Sequence, residues 1–166
     1  MDATEDLTSS VEMFLSYAIK LEEEATLRFG QLADAMDAAG NREVGKLFRK
    51  LSDYSRMHLA EARARAGFRE VPVLLPTEYQ WPELESPETA AIWATDPLIA
   101  YDEAMEIALE SEKRGHAFYK KVHDEASNPE IRTLAKEFVE EEAEHVMWLE
   151  NWIADAEKRP VRYEKT

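Results

Sequence analysis

The sequence contains no cysteine among its 166 residues. Disulfide bonds, zinc fingers, iron–sulfur clusters and rubredoxin-type iron sites all use cysteine sulfur, so this chain builds none of them. Basic residues are also few, with 20 Lys and Arg against 35 Asp and Glu, and the formal net charge is −15. Nucleic acids and anionic membranes bind basic surfaces, so we expect neither as a partner.

Long apolar runs are absent as well. No stretch approaches the roughly 18 apolar residues of a membrane span. The first six residues, MDATED, are acidic and no apolar core follows them, which is not the pattern of a signal peptide. We therefore expect a cytoplasmic protein. The length of 166 residues fits one domain with a full core, covering residues 1–166.

Four long segments carry apolar residues at helical spacing. Glycines at positions 40 and 67 follow the first two segments, and Asp96-Pro97 and Asn128-Pro129 supply a cap and a first-turn proline for the last two. The predicted helices cover about residues 10–38, 42–66, 97–127 and 129–158.

A different stretch, residues 68–95, separates the second and third predicted helices. It contains several prolines together with Trp81 and Trp93, which indicates an ordered crossover rather than a flexible linker. Short loops join the helices within each pair, and this one long crossover joins the pairs. The connectivity predicts an all-α fold, a ferritin-like four-helix bundle of two helical hairpins.

The two halves of the chain repeat each other. In the first helix of each half, a glutamate is followed by a small residue three positions later and an aromatic residue seven positions later. These residues are Glu22, Ala25 and Phe29 in the first half and Glu112, Gly115 and Tyr119 in the second. In the second helices, Ser55-x-x-His58 aligns without gaps with Glu142-x-x-His145. Such a repeat brings equivalent residues face to face in the centre of the bundle.

The repeated residues have the chemistry of a metal site. Glu and His three positions apart lie on adjacent turns of one helix face. Two such helices, with one Glu from each of two others, form the cage of carboxylate-bridged di-metal bundles. Oxygen and imidazole ligands suit iron, manganese or zinc, and do not select copper(I) or calcium. The candidate ligands are Glu22, His58, Glu112, Glu142 and His145, and Tyr119 is a candidate hydrogen-bond donor to one of their carboxylates.

Each of these residues also has an ordinary interpretation. A single Glu-x-x-His pair on a helix is usually solvated, and Glu22 belongs to an acidic run, residues 22–24, of the kind found on surfaces. Glu22 nevertheless lies on the apolar stripe between Ala18 and Ala25, so its side chain is expected to point inward. Because a buried carboxylate without a partner is very costly, several converging acids favour a bound cation.

These motifs resemble the rubrerythrin-type branch of the ferritin-like superfamily, without its rubredoxin domain. The resembling stretches lie in all four helices, at residues 21–29, 47–58, 111–119 and 134–145. The resemblance implies two iron ions, with zinc or manganese as substitutes. Glu22 and His58 would be the terminal ligands of one ion, Glu112 and His145 those of the other, and Glu142 would bridge them. It also implies hydrogen peroxide or dioxygen as substrate, a separate electron donor and a homodimer.

Position 55 departs from the family pattern, because it holds serine where the second bridging carboxylate is expected. A neutral serine is a poor ligand for iron. Loss of one bridging charge should therefore weaken binding of the second ion most. Three alternatives follow. The site holds one metal ion, a neighbouring Glu61 or His116 replaces the missing ligand, or a water molecule or an external anion forms the bridge. His116 equally fits a surface position, and His123 is expected to be exposed.

Two functional hypotheses follow from the site. One is an oxidoreductase with rubrerythrin-like peroxide reductase or oxidase chemistry at an iron site in the bundle core. The other is a non-catalytic metal-binding bundle used for storage, sensing or assembly, for which Ser55 is the reason. A weaker third hypothesis is a structural bundle that dimerises through the tryptophan-bearing crossover.

Overall fold

The computed structural model describes residues 7–82, 86–87 and 96–157. Over these residues the chain forms long helices and one short 3₁₀ helix, Pro76–Glu78, and contains no β-strand. The long helices are α1 (Val11–Ala38), α2 (Arg42–Ala66), α3 (Tyr101–Glu125) and α4 (Pro129–Glu157). The predicted all-α ferritin-like bundle is confirmed, whereas the extent of a single domain over residues 1–166 stays a prediction.

The bundle consists of two helical hairpins. Helix α1 packs along α2, and α3 packs along α4, while contacts of α2 with α3 and of α1 with α4 join the hairpins. Gly40, whose φ of 82° suits glycine, forms the tight turn of the first hairpin. Next to it, the side-chain amide of Asn41 donates to the carbonyl of Ile99 at 2.9 Å and ties this turn to the segment before α3.

Helix α3 begins at Tyr101, so the predicted start at Asp96-Pro97 is wrong. The Asp96 carboxylate accepts from the amide of Leu98 at 2.9 Å, and the amide of Ile99 donates to the Asp96 carbonyl. These bonds close a separate turn, and Ala100 is then extended, with a ψ of 151°, before the helix starts. Asp96-Pro97 therefore starts a turn and not the helix.

The end of α3 and the start of α4 can also be compared with the predicted bounds. Helix α3 ends at Glu125, short of the predicted residue 127, because Ala126 is extended and the amide of Ser127 donates to the carbonyl of Thr8. Helix α4 starts at Pro129 as predicted, and the Asn128 side chain accepts from the amide of Glu130 at 2.9 Å. The predicted end at residue 158, and Trp93 with much of the crossover, lie outside the described residues.

The first part of the crossover packs against α1. The hydroxyl of Ser16 lies 3.1 Å from that of Tyr79, and the amide of Gln80 donates to the hydroxyl of Tyr17 at 2.8 Å. The Trp81 ring packs edge-on against Tyr17, with 5.0 Å between the ring centroids. This part of the crossover therefore contacts α1 through hydrogen bonds and ring packing.

The core consists of two apolar clusters with a polar layer between them. One cluster gathers around Phe29, Phe48 and Met105, and the other around Phe14, Tyr17 and Phe138. In each helix the buried polar residues of the layer fall between stretches that belong to the two clusters. None of the described helices combines the length and the apolar character that a membrane crossing requires.

Candidate metal centre

The polar layer receives one buried polar side chain or more from each of the four long helices. Glu22, Glu112 and Glu142 are at most 2% exposed, and His58 is 6% exposed. His145 lies one turn beyond Glu142 on α4 and is half-buried. Because each residue continues the apolar stripe of its helix, packing of the four stripes brings all five side chains into the same layer.

These five residues form two groups that share Glu142. Glu22, His58 and Glu142 form one group, in which one oxygen or nitrogen atom from each residue lies within 4.8 Å of the others. Glu112, Glu142 and His145 form the second group by the same measure. Nδ1 of His58 lies 3.6 Å from Oε1 of both Glu22 and Glu142, and Nδ1 of His145 lies 3.6 Å from Oε2 of Glu112. The grouping matches the ligand sets that the resemblance implied, and metal binding by these residues stays a prediction.

Two buried carboxylate oxygens of the layer have no hydrogen-bond donor among the described residues. Oε2 of Glu22 and Oε2 of Glu112 are buried and accept no hydrogen bond from any described residue. Leaving a buried oxygen without a donor costs about 1–3 kcal/mol, and more for a charged group. A cation between these oxygens and the two imidazoles would offset that cost, so the donor set fits a divalent metal ion.

The layer also perturbs the pKa values of its own side chains. Burial raises the pKa of Glu22 above its usual value. Burial alone would lower the pKa of His58, but the neighbouring Glu22 carboxylate raises it to about 9. Burial would raise the pKa of Glu112, but its contacts with Glu142 and His145 hold that pKa below the usual value. Without metal the layer therefore retains protons, which a bound cation would displace.

Glu141 is a site residue that the sequence interpretation missed. Its Oε2 atom lies 3.5 Å from Nε2 of His58, on the side of the ring opposite the layer. Burial and the adjacent Glu61 carboxyl raise the pKa of Glu141 to about 7. A carboxylate behind a metal-binding histidine orients its ring and makes it a stronger ligand. In the sequence Glu141 is one member of an acidic run, and only its contact with His58 in the folded bundle distinguishes it.

An open cleft leads from solvent to the two histidines on one side of the bundle. The cleft has a volume of about 420 Å³, and we call it the outer cleft. Inside it the rings of His58 and His145 stack with centroids 4.7 Å apart and planes 3° from parallel. The residues that line it are Tyr54, Met57, His58, Glu61, Glu141, Glu144, His145 and Trp148. Small polar molecules can thus reach the layer from solvent.

The residues considered as substitutes for the missing bridging carboxylate, Glu61 and His116, lie outside the two ligand groups. Ser55 is buried, 3% exposed, one turn before His58 on α2. Glu61 is exposed at the outer cleft, His116 is half-buried, and neither joins a ligand group among the described residues. His123 is also only partly exposed, and its Nδ1 atom lies 3.0 Å from Oδ1 of Asp124.

Tyr119 donates a hydrogen bond to Oε1 of Glu22 at 3.1 Å inside the core. We expect Tyr119→Phe to weaken metal binding about 10–100-fold, because partners that orient a ligand contribute on that scale. The ring itself should stay in place, since it stacks on Phe138 with centroids 5.0 Å apart. Isothermal titration with a divalent metal measures the effect. Tyr79→Phe is the control, since it removes a buried hydroxyl beside Ser16 instead. Equal affinities for both variants would contradict the assigned contact.

The model of the rubrerythrin family matches residues 13–146, with a second match at residues 103–166. The chain belongs to the rubrerythrin family. Together with the carboxylate and histidine layer, membership supports a ferritin-like metal-binding protein. This chain carries no cysteine and therefore no rubredoxin domain of its own.

A solved relative of this rubrerythrin-family chain has the same fold. It is the crystal structure of an uncharacterized conserved protein from Magnetospirillum magnetotacticum MS-1, with 33% sequence identity and a TM-score of 0.68. The alignment covers 95% of this chain and 99% of the relative. No curated protein matches the chain.

Proposed function

We propose that this rubrerythrin-family protein binds iron in the polar layer and reduces hydrogen peroxide or dioxygen there. The observation that carries the proposal is Glu142, which belongs to both ligand groups and is 1% exposed. A carboxylate shared between two groups is the arrangement of a bridged pair of metal ions.

Each residue has a role in the proposed site. Glu22 and His58 would hold one ion, Glu112 and His145 would hold the other, and Glu142 would contribute to both. Iron bound there would supply electrons for cleavage of the O–O bond. Zinc fits the same ligands but undergoes no redox change, so a zinc-loaded site would be inactive.

The surrounding residues support this chemistry without contacting the ions. Tyr119 holds Glu22 in one orientation through its hydroxyl, and the Glu141 carboxylate lies 3.5 Å from Nε2 of His58, behind the ring. The outer cleft admits the small oxidant beside the two histidine rings. The apolar clusters on either side of the layer limit the entry of water.

Electrons must come from a separate donor under this proposal, because the chain has no cysteine with which to bind a rubredoxin-type iron. We also propose a cytoplasmic location and a homodimer. Both are inferred from the sequence and the family resemblance alone.

Anaerobic titration with ferrous iron, followed by one equivalent of hydrogen peroxide, tests the proposal. We expect iron to bind in the layer and peroxide to produce an absorbance change as the iron is oxidised and the peroxide is consumed. Zinc-loaded protein is the control and should consume no peroxide. Bound iron that shows no redox response to peroxide or dioxygen would contradict the catalytic part.

A second candidate function is non-catalytic metal binding for storage, sensing or assembly. Ser55 favours it, because the buried hydroxyl provides no bridging charge. This function predicts at most one ion per chain and no peroxide turnover in the same titration.

A further inference from the structure

Aromatic rings stack in a line that leads outward from His145. The His145 ring stacks on Tyr54 with centroids 4.6 Å apart, and Tyr54 meets Trp148 edge-on at 5.8 Å. Trp148 packs against Trp152 at 4.7 Å, and Trp152 meets Tyr101 at 5.9 Å. The line therefore runs from a candidate metal ligand through α2 and α4 to the first residue of α3.

The line lies at the edge of the core, where Tyr101, Trp148 and Trp152 pack against the apolar cluster around Phe29. Tyr54, Trp148, Trp152 and Tyr101 are all only partly buried, so each ring meets solvent at some point along the path. Large aromatic rings contribute most to stability when they are fully buried, as Tyr17 and Tyr119 are. Phenol and indole rings are also the electron-rich side chains that release single electrons most readily.

We propose that these four residues, the aromatic stack, deliver single electrons from the protein surface to the candidate metal centre. The inference rests on the proposed function, because it needs a centre that reduces peroxide. Ser55 is the reason why a second source of electrons would be needed. In a molecule that holds iron in only one of the two proposed positions, that ion would supply only one of the two electrons that peroxide requires.

The electrons and protons balance as follows. Hydrogen peroxide takes up two electrons and two protons, its O–O bond breaks, and two water molecules form. Ferrous iron held by the layer would supply one electron and would be left ferric. The other comes from Tyr54, whose phenolic O–H bond breaks, with the proton released to solvent in the outer cleft. A tyrosyl radical then remains on Tyr54.

Trp148 next returns an electron to Tyr54, which regains a proton from solvent. Nζ of Lys50 lies 4.4 Å from the centre of the Trp148 ring and disfavours added positive charge there. Trp148 therefore releases its indole proton together with the electron. The same exchange with Trp152 carries the radical to the surface, where an external one-electron donor reduces it.

Freeze-quench electron paramagnetic resonance tests the aromatic stack. Protein holding one ferrous ion per chain is mixed anaerobically with one equivalent of hydrogen peroxide, without a donor, and the radicals are recorded. Peptide mapping by mass spectrometry then locates oxidised tyrosine and tryptophan. We expect a radical in the wild type and oxidation products on the stack.

Conservative variants assign the path. Tyr54→Phe keeps a ring against His145 and should lose the tyrosyl signal, while Trp148→Phe should confine the radical to Tyr54. Trp81→Phe is the matched control, because it alters a half-buried tryptophan that packs on Tyr17, outside the stack. That control should leave the radical unchanged.

The outcomes separate the two proposals. Failure of the wild type to bind iron or consume peroxide would overturn the proposed function and, with it, the role of the stack. Peroxide consumption without a radical would overturn the stack alone. So would a tyrosyl signal that survives in Tyr54→Phe, or one that disappears in Trp81→Phe.

Discussion

Replacing Glu142 with glutamine is expected to abolish binding at both metal positions. Glu142 belongs to both ligand groups, so its neutral amide removes a charged oxygen from each at once. We expect affinity to fall by at least about 100-fold, the upper end of what even the outer partners of metal ligands contribute. Metal analysis after equilibrium dialysis measures the number of ions retained.

The free energy of unfolding gives a second test of Glu142→Gln. Metal at 100 times its dissociation constant should stabilise the wild type by about 2.7 kcal/mol and should not stabilise Glu142→Gln. Without metal, the variant should be at least as stable as the wild type, because a buried charge has been removed. Urea denaturation with and without metal gives both values.

The matched control for this experiment is Glu140→Gln. Glu140 lies on the same helix, and its side chain is 66% exposed and forms a surface ion pair with Lys136. It should retain the wild-type ion count. Retention of two ions by Glu142→Gln would show that Glu142 is not the shared ligand.

Replacing Ser55 with glutamate is expected to have opposite effects with and without metal. The added carboxylate lies in a buried layer beside His58, so the metal-free variant should lose about 3–5 kcal/mol of unfolding free energy. With metal present, the new charge completes the second bridge. We expect the affinity for the second ion to rise about 10–100-fold, on the scale of a changed ligand environment.

Ser55→Gln is the control, because it adds the same bulk without the charge. Calorimetric titration with ferrous or manganous ions should show a second tight site in Ser55→Glu only, and peroxide turnover should rise with it. If the glutamine and glutamate variants bind metal equally, the missing charge is not what limits the second ion.

Much of the centre was predictable because its residues repeat along the chain. The alignment of Ser55-x-x-His58 with Glu142-x-x-His145 depends only on helical spacing, and that spacing persists when the helices pack. The same alignment singled out Ser55. Fold class followed from the short loops within each hairpin and the long crossover between the hairpins.

Other features depend on contacts that no local pattern records. Asp96-Pro97 carries a valid helix-start signal, but hydrogen bonds to Asp96 close a separate turn first. Glu141 reaches His58, and Tyr54 reaches His145 and Trp148, only because the fold brings these side chains of α2 and α4 together. The residues of these pairs are 83 to 94 positions apart in the sequence, so helical periodicity does not relate them.

Anomalous diffraction at the iron absorption edge, on crystals grown with ferrous iron, tests the central claim most directly. We predict iron in the polar layer beside Glu142, with Glu22 and His58 as ligands of one ion and Glu112 and His145 as ligands of a second, weaker ion. An iron-loaded crystal without an anomalous peak in this layer, or with iron bound only to surface carboxylates, would contradict it.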